Sequence, residues 1–304
     1  MRLGLSSLSI FGLGVGLGAC GGGTAAPDAP AVDIGFNKPT KSLKANMEVT
    51  TNNWTELGAA SLECLNTPSS DITTSVAVTL NTTVKDFQSG NAVPTVSVTA
   101  FPGIQVTAPF GAAAVSDATG AVTIAIPVGT KRFGVKMTEA DSLDTFLLNQ
   151  KVAADMAVQT DPSKIQIVSK ATGATLPALI GETRTAGTGV AAGALRDCGG
   201  HEMSNFVAVV SSTSGTATPI AGAEAFYFSS SVGLPVHHNQ QDAASNDGLF
   251  MAIQLPVTAT AYVQAWGYPT DADLAADHLT LIAELAVPVV ADTVITGSFE
   301  PLRQ

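Results

Sequence analysis

Charged and aromatic residues are scarce in this chain. Only 13% of its 304 residues are charged and 6% aromatic, and cations are outnumbered 14 to 25 by Asp and Glu. The net charge of −11, lowered by one more unit if Arg2 is removed with a signal segment, excludes nucleic acid as a partner. Binding a phosphate backbone requires a positive field that displaces counterions. Also missing are a G-x-S-x-G elbow, a Ser-x-x-Lys pair and a Walker loop, so no familiar catalytic or cofactor motif is present. Beyond the first twenty residues no apolar run reaches the length of a membrane-spanning helix. What is plentiful is apolar residue content, 45%, which is too high for a disordered chain, and 304 residues allow two ordinary domains.

The front of the chain reads "GLGVGLGACGGG" at residues 12 to 23. Gly16, Gly18 and Gly21 fit a dinucleotide-binding fingerprint, but no strand precedes them and no helix with a distant acid follows. Arg2, an uncharged run from Leu3 to Ala19, and the small residues before Cys20 follow the plan of a secretory signal peptide. Leu17-Gly18-Ala19-Cys20 resembles the bacterial lipobox, whose cysteine is acylated and becomes the new N-terminus. That resemblance implies a signal peptide over 1–19, lipid on Cys20 and a membrane partner through that anchor, since several acyl chains hold a protein stably. Gly21, where an inner-membrane lipoprotein would often carry Asp, implies the outer membrane, on its periplasmic face or at the cell surface.

With Cys20 assigned to lipid, Cys64 and Cys198 remain as an even pair in an oxidising compartment. A Cys64–Cys198 disulfide is expected, two buried free thiols being the alternative. Residues 20–53 are rich in Gly, Ala, Pro, Thr and Asn, with Lys38, Lys41 and Lys44 evenly spaced, and read as a lipidated flexible tether.

From there the apolar period is two. Val76, Val78, Leu80, Thr82 and Val84 alternate with smaller or polar residues, as do Val96, Val98, Ala100, then Val122, Ile124, Ile126, then Phe133, Val135, Met137. Turn clusters at 88–91, 117–120 and 127–129 separate them, the spacing of an antiparallel sandwich. The order recurs: "VKDFQSGNAVPTVSV" (84–98) has a counterpart in "LRDCGGHEMSNFVAV" (195–209), and "ATGAVTIAIPVGTKRFGV" (118–135) in "NDGLFMAIQLPVTATAYV" (246–263). One unit has been duplicated. Asp161 as an N-cap, Pro162, and Ile165, Val168, Thr172, Leu176 and Leu179 predict a short helix between the copies.

The glycine turn and strands of "KDFQSGNAVPTVSVTAF" and "SDATGAVTIAIPVGTKRFGVKM" resemble the carboxypeptidase regulatory-like domain, a transthyretin-type sandwich. The match covers roughly residues 76–137 and, less cleanly, 189–268, within a chain that resembles bacterial surface lipoproteins. It implies a mostly β fold of two tandem antiparallel sandwiches: 54–160, a helical connector at 161–188, and 189–304. No peptidase partner domain accompanies them, and the fold is nearly silent on function.

Site candidates are few. "HEMSN" from His201 lacks the second histidine of a zinc protease, and reads as a turn entering a strand. His237, His238 and Asp242, and the run Asp271, Asp273, Asp277, are better read as solvated loops than as metal sites. No metal or cofactor is expected. Trp266 and Tyr268, beside Asp271 and Asp273, form a candidate platform for a sugar ring, the alternative being that Trp266 is core. "FYF" at 226–228 should alternate faces of a strand. The expected function is a non-enzymatic envelope lipoprotein that engages a protein or a polysaccharide, as a structural or protein-interaction module, with carbohydrate binding as the alternative.

Overall fold

The computed structural model describes residues 38–160, 165–230, 233–236 and 240–304. Cys20, Asp161, Pro162, His237 and His238 lie outside them. The described residues belong to one compact unit, Val32–Gln304. A ribbon of β1 (Lys44–Thr50) and β2 (Asn53–Ala59) comes first. The first repeat holds β3 (Val78–Asp86), β4 (Ser97–Pro102), β5 (Ala114–Val115), β6 (Ala121–Ile126), β7 (Arg132–Thr138), β8 (Ser142–Lys151), β9 (Val158–Thr160) and β10 (Ile165–Ser169), and is followed by helix α1 (Lys170–Leu179). The second holds β11 (Gly189–Leu195), β12 (Glu202–Ser204), β13 (Val207–Ser211), β14 (Glu224–Phe228), β15 (Pro235–Val236), β16 (Leu249–Leu255), β17 (Thr258–Gly267), helix α2 (Asp271–Ala275), β18 (Thr280–Val289) and β19 (Thr293–Phe299).

Alternation in the sequence becomes register in the sheet. Val78, Leu80 and Thr82 of β3 stand opposite Ile126, Ile124 and Val122 of β6, so their side chains share one face and are buried together. The facing leaf is β4–β7–β8, where Val98 and Ala100 oppose Met137 and Val135. Between the leaves lies the first core.

The duplication seen in the sequence extends to the pairing. In the first repeat β3 pairs antiparallel with β6 and parallel with β10, while β7 sits between β4 and β8. In the second, β11 pairs antiparallel with β16 and parallel with β19, while β17 sits between β13 and β18. The copies are joined by hydrogen bonds as well as by chain. β19 pairs in parallel with β8, Thr293 to Gly297 against Asp144 to Leu148, and so completes a sheet that runs through both repeats. Phe101, Phe146 and Leu148 of the first repeat enter the core of the second, beside Phe250, Ile295 and Phe299. "FYF" alternates as expected: Tyr227 faces that core and accepts no solvent, its hydroxyl taking a bond from the Ala208 N–H at 3.0 Å, while Phe226 and Phe228 face the other side.

Two local expectations are corrected. Within the stretch expected to be a flexible tether, β1 is a strand, because Leu43 and Ala45 are buried and the Asn46 amide, fully buried, donates to the Glu202 carbonyl and to Ser204 of β12. Ile165 and Val168 belong to strand β10 rather than to the helix, since residues three apart can both be buried in a sheet covered on both faces. The helix begins eight residues later than expected, with Ser169 rather than Asp161 as N-cap, accepting from the Thr172 N–H, and lies over strands of both repeats.

Candidate functional site

The expected aromatic platform is part of the body. Trp266 is 5% exposed, packs on Val207 and Val209, and donates its indole N–H to Gln264 at 3.0 Å. Tyr268 is 2% exposed and donates its hydroxyl to Asp277. Burial first, and then the Asp277 charge, push its pKa up to about 12. Neither ring presents a face to solvent. The acidic run is likewise engaged in structure. Asp273 and Thr270 form a capping box on α2, Asp271 accepts from Ser42 with Lys44 beside it at 3.7 Å, and Asp277 is held by Lys38 at 2.7 Å. These contacts fix residues 38–44 to the second repeat. Among the described residues no group of three His, Cys, Asp or Glu could hold a metal ion. His201 lies in the turn before β12, 3.4 Å from Asp197, and Glu202 is in a strand, so the zinc-helix geometry is absent there.

Cys64 and Cys198 form a disulfide, with Cα atoms 5.6 Å apart. It forms part of the wall of a groove at the seam between the repeats. Two depressions of about 320 Å³ each meet at Glu300, Pro301 and Arg303. The chain after β19 makes this seam: the Leu302 N–H donates to Ile282 of β18, its carbonyl accepts from Asn66, and Arg303 bridges to Thr67. At the first end, Arg132 binds Asp71 at 2.6 Å, Glu300 at 3.2 Å and the Asn149 carbonyl at 3.0 Å. Lys151 reaches Glu300 at 2.7 Å. Burial pushes the Asp71 carboxyl up, but the bond and charge of Arg132, with Lys151, outweigh it and hold the group below the usual carboxylate range.

Five of the chain's 14 Lys and Arg residues line this groove: Lys131, Arg132, Lys151, Arg196 and Arg303. Its carboxylates are already occupied. Asp197 accepts the N–H groups of Ser61, Gly199 and His201, and Glu284 accepts from Ser214, Gly215 and Gln264. Among the described residues Lys131 and Arg303 pair with no carboxylate, and Arg196 meets Glu202 through one nitrogen only, at 3.0 Å. Sequence reading missed this site because its parts come from residues 64–71, 131–151, 196–200, 284 and 298–303, with no spacing to join them.

The fold defines a class: a mostly β protein of several sheets, tied across its length by a disulfide. No protein-family model and no curated protein matches the chain. Among solved structures it is similar to the Bacillus anthracis TIE protein, 12% identical over 73% of this chain, with a TM-score of 0.25. The chain spans about a third, 34%, of that protein. It is also similar to the shaft pilin SpaA from Lactobacillus rhamnosus GG, 12% identical, covering 75% of this chain and 98% of that one, TM-score 0.21. The major pilin subunit BcpA of Bacillus cereus is 10% identical over 72% of this chain and 68% of its own, TM-score 0.19.

Proposed function

We propose that the protein is a non-enzymatic module of the bacterial cell envelope, anchored in the outer membrane through acylated Cys20. Its two sandwich units, of the carboxypeptidase regulatory-like, transthyretin type, serve as a rigid structural or protein-interaction body. The observation that carries this reading is the Cys64–Cys198 disulfide, which ties positions 134 residues apart. Such bonds persist in exported proteins and are rare in the reducing cytosol. The lipobox at Cys20 agrees with it. No described helix is long and apolar enough to cross a membrane. The alternative of sugar binding at Trp266 and Tyr268 has no exposed ring to support it.

Labelling cells with a clickable palmitate tests the anchor. The protein should take up label and fractionate with the outer membrane, and Cys20→Ala should lose both. An unlabelled, soluble wild-type protein would sink the reading. Crosslinking in intact cells followed by mass spectrometry should then capture a stoichiometric envelope protein, and efficient turnover of a peptide or ester library would contradict the non-enzymatic assignment.

A further inference from the structure

The groove at the seam has a charge at odds with the molecule around it. In a chain of net charge −11, five cations converge there, and the four carboxylates among them are consumed by Arg132, Lys151, backbone N–H groups and Gln264. Three cations keep donors beyond their existing bonds, Lys131, Arg196 with only Nε on Glu202, and Arg303 with only Nη1 on Cys64 and Thr67, and they are placed in sequence along the groove. Lys131 lines only the first depression, Arg196 only the second, and Arg303 lines both. A single small anion would meet one of them. A linear ligand carrying repeated negative groups would meet all three.

The remaining lining narrows the chemistry. Ser69, Asn149 and Ser298 stand in the first depression, and Glu300, whose contacts with Arg132 and Lys151 both fall on Oε2, keeps Oε1 as an acceptor beside the cations. A phosphate chain brings acceptors only and would set an oxygen against that carboxylate. A sugar acid brings carboxylates for the cations and hydroxyl donors for the acceptors. We propose that the seam groove binds an acidic polysaccharide through its carboxylates, with Lys131, Arg303 and Arg196 as the successive contacts. Gly199 and Gly200 lower the wall at the second end, and the disulfide fixes it. This site does not depend on the Cys20 anchor.

The test is calorimetric titration of the purified protein with a short oligogalacturonate, with neutral maltooligosaccharide and with polyphosphate, at low and at high salt. Oligogalacturonate should bind, more weakly as salt rises, and the neutral sugar should not. The double substitution Lys131→Gln with Arg196→Gln should weaken binding at least about tenfold, two charge-assisted contacts being lost. Both side chains are exposed, and Lys131→Gln alone, at a position with no ion pair, should weaken binding in the same direction if the double variant is unstable. The control pair Lys136→Gln with Arg184→Gln makes the same change of net charge away from the groove and should leave affinity unchanged. No heat with oligogalacturonate, equal loss in the control pair, or polyphosphate binding as tightly would each overturn the proposal.

Discussion

Gly120 and Gly248 hold the same place in the two repeats, each with its carbonyl accepting a backbone N–H from the neighbouring strand: Val84 at 2.8 Å and Leu195 at 3.1 Å. Both have positive φ, 76° and 64°. A Cβ on Gly120 would lie 2.6 Å from the Val84 carbonyl oxygen, and one on Gly248 3.0 Å from that of Leu195. Glycine is required at this turn twice over, by conformation and by space.

Gly120→Ala should therefore destabilise the protein by about 2–4 kcal/mol, with Gly248→Ala costing less because its neighbours must yield less. Urea unfolding of both variants measures the difference. Equal stability of Gly120→Ala and wild type would show that the turn relaxes freely.

Removing the disulfide should cost far more than any surface change. For a separation of 134 residues the chain-entropy model gives about 5 kcal/mol. The Cys64→Ala, Cys198→Ala double variant and the reduced wild type should both show a lower urea midpoint. Identical midpoints with and without reductant would contradict the structure.

Trp266→Ala tests whether this residue is core or surface. Its ring is packed on Val207 and Val209, and truncation should cost about 3–5 kcal/mol. Loss of the near-ultraviolet circular dichroism of the fold at moderate temperature would accompany it. A variant as stable as wild type would return Trp266 to the surface.

Asp247 should make stability depend on pH. It is buried, one carboxyl oxygen has no partner, and burial, with Glu202 nearby, raises its pKa to about 6 against the bond it accepts from Leu249. A carboxyl whose pKa is higher folded than unfolded binds its proton more tightly in the native state. Stability is therefore greatest below about pH 4 as far as this group is concerned, and declines by roughly 2–3 kcal/mol as pH rises to 6 and beyond. Chemical denaturation from pH 4 to 7 should show that decline, and Asp247→Asn should flatten it.

Arg132 should behave as the centre of the seam. Arg132→Met leaves Asp71, 9% exposed, with Ser69 and with Lys151 at 4.0 Å, and should cost about 3 kcal/mol. Adding Asp71→Asn should restore part of it. A double variant less stable than the single would show that the two side chains do not act as a pair.

The sequence is most readable where one face of a strand is buried and the other is wet. Val122, Ile124 and Ile126 announce β6 by alternation alone, and the Pro-Val closure at 127–128 and 256–257 marks the repeat. Where both faces are covered the period disappears: Met251 and Ile253 face one core and Phe250 and Ala252 another. The same loss of contrast made β10 read as helix. At β1 the signal is two apolar residues, Leu43 just before it and Ala45 within it, in a polar context, and the contact that orders it is with Glu202 and Ser204, more than 150 residues away. The disulfide was legible because only two cysteines were left to pair. The seam groove was not, since the segment that follows strand β19 assembles it from stretches far apart in the chain.

That strand has a consequence for the order of events during synthesis. A chain made from its N-terminus delivers β8 about 150 residues before β19, the neighbour that lies along its edge. Until residues 293–299 arrive, the first repeat has an unpaired edge and Phe101, Phe146 and Leu148 have no second core to enter. The two repeats are thus consecutive in synthesis but simultaneous in completion, and the exposed edge must be kept from pairing elsewhere until the last strand is in place.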